Sequence, residues 1–105
     1  METKLIGGVE RPIRITYGVI FKTASDLKLK SLSELDSLNS TDIASFNKFL
    51  VNLYYYGLKA GAKSSGETFT FSKADVEEWL FDLDMDELTN LEYFNQDKDG
   101  DKEKN

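Results

Sequence analysis

Apolar residues recur at helical spacing across 42–62, DIASFNKFLVNLYYYGLKAGA, more regularly than anywhere else in the chain. At ~100° per residue, Ile43, Phe46, Leu50, Leu53, Gly57 and Gly61 fall on one line. Phe49 and Ala60 flank it on one side, and Ala44, Val51, Tyr54 and Leu58 on the other. The apolar arc spans roughly 220°, wider than the stripe of a surface helix, and predicts a central helix with neighbours on two sides. A narrow polar strip remains, made of Ser45, Lys48, Asn52, Lys59 and Lys63, with Tyr55 and Tyr56 at its edges. Asn47 falls inside the apolar arc. It predicts a buried amide bonded to backbone groups of a neighbouring loop or hairpin.

Before this helix, residues 4–15 read as a β-hairpin. Lys4 to Ile6 and Ile13 to Thr16 are β-prone, with Gly7, Gly8, Arg11 and Pro12 between them as turn signals. Residues 17–24 predict a short helix. Leu32, Leu35 and Leu38 then recur at the spacing of an amphipathic turn or two. Asn39 to Asp42 supply capping side chains for the central helix.

After it, Gly61 and the run from Lys63 to Gly66 stop the helix. Residues 68–71 alternate Thr-Phe-Thr-Phe, compatible with a strand that joins the hairpin. Ser72 and Asp75 form a capping box with Asp in the place of Glu, opening a helix that buries Val76, Trp79 and Leu80. Asp84 caps a last helix with Leu88, Leu91 and Phe94 facing inward. Together these features predict an α+β domain over 1–94, mainly α-helical. A small N-terminal β-hairpin, with room for a third short strand, packs on four to five helices. Residues 95–105 contain no apolar side chain and predict a disordered charged tail.

Composition narrows the chemistry. The 105 residues include no histidine and no cysteine. The commonest general base, the commonest transition-metal ligands and any disulfide are thereby removed. An enzyme is the weakest expectation, and no catalytic, cofactor-binding or metal-binding residue is assigned. Asn95, Asp97, Asp99 and Gly100 match four positions of a calcium-binding loop, but the bidentate Glu of position 12 would fall beyond Asn105. No apolar run reaches the ~20 residues of a membrane span, and no secretory signal layout is present. The expectation is a soluble intracellular protein.

Charge is unevenly placed. Residues 1–71 carry nine Lys and Arg against seven Asp and Glu, whereas 72–94 carry one Lys against eight acids. No basic footprint of the size that nucleic acid requires exists. The acidic block reads either as a solvated helix face or as a docking surface for a basic partner. The Tyr54-Tyr55-Tyr56 run reads as one core residue and two boundary residues, or as an aromatic hot spot.

The order of elements resembles that of tail assembly chaperones of tailed bacteriophages and prophages. The likeness is carried by Arg14-Ile-Thr-Tyr-Gly18, Lys30-Ser-Leu-Ser-Glu-Leu35, Asn52-Leu-Tyr-Tyr-Tyr-Gly-Leu-Lys-Ala-Gly-Ala62 and Phe71-Ser-Lys-Ala-Asp-Val-Glu-Glu-Trp-Leu80. It implies a small, mostly helical, non-enzymatic protein in the host bacterial cytoplasm that binds the tape-measure protein during tail assembly. The tail-tube protein is a further candidate partner, and self-association fits the same role. Such a protein should read an amphipathic helix by apolar anchors in a groove. Tyr55, Tyr56 and Phe81 are the candidates for that groove, with Glu77, Glu78 and Asp82 as its acidic rim. Trp79 is expected to anchor the core. Two other readings stay open: a structural tail-completion or connector protein, and a small acidic regulator that binds a basic protein.

Overall fold

A computed structural model describes residues 2–31, 33, 34, 37 and 42–95. Two antiparallel strands, β1 (Glu2–Ile6) and β2 (Val9–Ile13), lead into helix α1 (Tyr17–Asp26). The long helix α2 (Ile43–Ser64) follows, then α3 (Lys73–Phe81) and the short α4 (Met85–Leu88). The fold is α+β and mainly helical, with the hairpin packed on the helices. Helix α2 is its centre, since β2, α1 and α3 all pack on it.

The hairpin turns on Gly7 and Gly8 alone. Both have positive φ, 65° and 80°, as a two-residue type I′ turn requires. Strand pairing therefore starts at once, Ile6 opposite Val9, and runs to Glu2 opposite Ile13. Arg11 and Pro12 lie within β2 rather than in the turn expected from sequence. Pro12 is tolerated because a two-stranded sheet consists of edges. Ile6 and Ile13 share the inward face and are each 1 % exposed.

Helix α1 starts at Thr16, whose Oγ1 accepts a hydrogen bond from the Val19 amide. It buries Val19 and Thr23. Asp42 caps α2 by accepting the Ser45 amide at 2.8 Å. The buried face of α2 begins only at Phe49, so Ile43, placed on the apolar line by its spacing, is 84 % exposed. Asn52, expected in the polar strip, is buried; its Nδ2 donates to the Lys48 carbonyl. Asn47 is half-buried, and its partner is a side chain rather than backbone: Nδ2 donates to Glu77 Oε2 of α3 at 2.8 Å.

The Ser72–Asp75 capping box of α3 is present with both reciprocal bonds. Val76 and Leu80 enter the core. Residues 67–72 form no strand; Phe69 and Phe71 turn half-buried toward other rings while Thr68 and Thr70 stay exposed. The expected last helix is broken: α4 ends at Leu88, and helical structure resumes only at 92–95. The carbonyls around the break go to side chains instead. Tyr54 Oη donates to the Leu88 carbonyl at 2.8 Å and Lys4 Nζ to the Asn90 carbonyl at 3.3 Å. Leu91 is nevertheless fully buried, with Leu88 and Phe94 packed on the core. The Leu32, Leu35 and Leu38 turn lies outside the described residues, as does the charged tail beyond Asn95.

Candidate functional site

Two glycines one turn apart let the hairpin and the segment after it lie close to α2. A Cβ on Gly57 would stand 2.8 Å from Ile15 Cδ1, and one on Gly61 would meet the Pro12 backbone. The Arg14 amide donates to the Gly57 carbonyl at 3.0 Å, fixing where the chain leaves the hairpin. Thr16 can then start α1 alongside the C-terminal half of α2. Between these helices runs an open trough of about 560 Å³. Val19 and Lys22 of α1 line one wall. Tyr56, Lys59, Ala60 and Lys63 of α2 line the other, and Glu67, Thr68 and Phe69 of the segment after α2 complete the lining.

The aromatic floor is part of a longer chain of rings. Tyr56 meets Tyr55 with centroids 5.1 Å apart, Tyr55 meets Phe69 at 5.9 Å, Phe69 meets Phe71 at 5.4 Å, and Phe71 meets Trp79 at 4.9 Å. All four contacts are edge-to-face, the arrangement favoured by the ring quadrupole. Trp79 ends the chain half-buried, over Gly7, with the Arg11 guanidinium 4.5 Å from its ring. It joins the core edge rather than filling the interior.

Cations sit on the tyrosine faces. Lys22 Nζ lies 5.7 Å from the Tyr56 centroid, Lys59 Nζ 5.7 Å from Tyr55, and Lys73 Nζ 5.0 Å from Tyr56. Asp26 binds two of these groups: its Oδ2 accepts Lys73 Nζ at 2.6 Å and the Tyr56 hydroxyl. The Lys73 bond, then the Tyr56 bond, hold the Asp26 carboxyl below its usual pKa. Burial, then the bond to Asp26, raises the Tyr56 phenol. Burial alone would lower Lys73, but its bonds to Asp26 and Tyr56 outweigh that and raise it. The triad thus keeps its charges at neutral pH and pins the Tyr56 ring.

The sequence-predicted residues divide between two places. Tyr56 lines the trough, and Tyr55 backs it through Tyr56 and Phe69. Glu77, Glu78, Phe81 and Asp82 line a separate concavity along α3. Phe81 is 67 % exposed there, and Glu77 accepts the bond from Asn47. The tyrosines are therefore surrounded by lysines, not by the acidic rim. The sequence places Lys59 and Lys63 together in the polar strip of α2, but only packing brings Lys22 across from α1. Among the described residues, no group of three or more His, Cys, Asp or Glu could hold a metal ion. Nor, among the described residues, is any helix long and apolar enough to cross a membrane.

Comparison with protein-family models, with curated proteins and with solved structures found no match.

Proposed function

We propose that this chain is a non-enzymatic binding protein, a tail assembly chaperone that holds the tape-measure protein in the bacterial host cytoplasm. The observation that carries the reading is the open, aromatic-floored trough between α1 and α2. Its shape suits an elongated helical segment, whose apolar side chains at i, i+3, i+4 and i+7 would enter a groove of this kind. Tyr17 and Phe21 form a second exposed apolar patch on α1, apart from the residues that line the trough. They are 83 % and 57 % exposed, with ring centroids 6.3 Å apart. Contiguous exposed rings mark interaction surfaces, and a net charge of −6 opposes self-aggregation of a protein that displays them. The resemblance of residues 14–18, 30–35, 52–62 and 71–80 to tail assembly chaperones supports the choice of partner.

The test is co-expression with fragments of the tape-measure protein encoded in the same tail-gene cluster. A fragment that precipitates alone should stay in solution and co-purify with the chain. Purified tails should lack the chain; its retention in them would select a structural tail part instead. A chain that captures no fragment at all would overturn the chaperone reading.

A further inference from the structure

The trough has a charge of its own, opposite to that of the whole molecule. We infer that it takes an acidic amphipathic helix, so that the segment of the partner held there carries carboxylates beside its apolar anchors. The inference rests on the chaperone reading and names the chemistry of the segment bound. Lys22, Lys59 and Lys63 line the trough, against Glu67 as its acidic lining residue. Asp26 stands one helical turn from Lys22 and could have neutralised it. Its Oδ2 is instead engaged by Lys73 and Tyr56. Among the described residues the ion pair found is Lys73–Asp26, so the three trough ammonium groups have no carboxylate in contact.

Their spacing has a matching partner. Lys59 and Lys63 lie one turn apart on α2, about 6 Å between their Cβ atoms. Carboxylates at i and i+4 of a helix laid along the trough have the same spacing. Lys22 stands on the opposite wall, where a carboxylate from the helix's other flank would meet it. The apolar lining residues Val19, Tyr56, Ala60 and Phe69 receive the apolar residues of the segment. A basic helix would set like charges against these lysines, which suppresses a wrong partner more strongly than rim charges attract a right one. The acidic block of 72–94 does not reverse this, because its concavity on α3 is lined by other residues.

Three labelled probes test the inference by fluorescence anisotropy with the full chain. One is a helical peptide with leucines along one face and glutamates flanking them. The second has every glutamate replaced by lysine, and the third is a single-stranded oligonucleotide. The acidic peptide should bind at least about tenfold tighter than its lysine copy, the factor that one close charge pair can supply. Lys59→Glu with Lys63→Glu should invert that order while leaving the circular dichroism unchanged, since both side chains are exposed. Equal or tighter binding of the lysine copy, or indifference to the double substitution, would overturn the inference. Tighter binding of the oligonucleotide would show a polyphosphate site and overturn it too. A dimer of the chain in analytical ultracentrifugation that dissociates on the double substitution would make a second copy the occupant, with the same consequence. The two readings fail separately. Capture of a tape-measure fragment that survives the double substitution removes the inference alone. Binding of the acidic peptide without capture of any fragment removes the chaperone reading alone.

Discussion

Gly61 of α2 lies against the backbone of Pro12 in β2: a Cβ placed on Gly61 would stand 2.3 Å from the Pro12 carbonyl oxygen and 2.7 Å from the Ile13 nitrogen. Backbone cannot yield as a side-chain tip can, so the helix and strand would have to separate. Gly61→Ala gains ~1 kcal/mol of helix propensity but loses ~1–3 kcal/mol or more to overpacking. A net loss of stability follows. Gly57→Ala should cost less, because its nearest neighbour is Ile15 Cδ1, the mobile end of a side chain. Gly18→Ala meets nothing closer than 3.7 Å and should be neutral or stabilising. Urea unfolding midpoints rank the three; a Gly61→Ala midpoint equal to that of Gly18→Ala would sink the account.

Much of this arrangement is legible in the sequence, because it depends on local pattern. The wide apolar arc gives α2, the Ser72–Asp75 spacing gives the cap of α3, and both glycines fall on the line that faces the hairpin. What periodicity cannot supply is the partner across space. Asn47 reads as buried, yet its bond goes to Glu77, thirty residues away. The alternation of 68–71 arises from rings turning toward Tyr55 and Trp79, which mimics a strand. In the candidate site, Tyr55 and Tyr56 are recognisable as boundary residues. Their lysine surroundings are not, because Lys22, Lys59 and Lys73 come from three helices and meet only in the fold.

Tyr54 should make stability fall at alkaline pH. Burial, ahead of the charges of Glu2 and Glu87, raises its phenol above the ordinary value of 10.0. The folded chain holds the protonated form, so this contribution is complete below pH 10.0 and is lost as pH rises toward the folded value. Tyr54→Phe should cost ~1–2 kcal/mol at neutral pH by leaving the Leu88 carbonyl unpaired. It should also flatten the decline in melting temperature above pH 10.0. Parallel alkaline profiles for parent and variant would count against the assignment.

Thr23 is fully buried, and its hydroxyl has no hydrogen-bond partner among the described residues. Thr and Val differ little in volume and helix propensity. Thr23→Val therefore removes an unpaired polar group and little else, and should stabilise the fold by ~1 kcal/mol. Thermal and urea unfolding measure this directly. A lower stability would mean that the hydroxyl has a partner in solution, such as a buried water.

Phe69 holds residues 67–72 to the rest of the molecule, and its removal should separate local from global stability. The segment forms no helix or strand. Ahead of the Ser72 cap, its attachments include the Glu67 amide to the Ala62 carbonyl at 2.8 Å and the rings of Phe69 and Phe71. Phe69 touches Tyr55 and also lines the trough. Because the ring is only half-buried, Phe69→Ala should cost ~1–3 kcal/mol, below the range for a fully buried Phe. Amide exchange at 67–71 should quicken far more than exchange in the core of α2, where Leu53 and Tyr54 are 0 % exposed. Affinity for the acidic peptide should fall as well, since the variant loses part of the apolar floor while keeping all three lysines. Charge reversal at Lys59 and Lys63 attacks the same binding from the other side and leaves the exchange pattern of the segment unchanged. If Phe69→Ala instead speeds exchange evenly along α2, the ring supports the whole core rather than one segment. Unchanged peptide affinity in that variant would place the docking surface away from the Phe69 part of the trough.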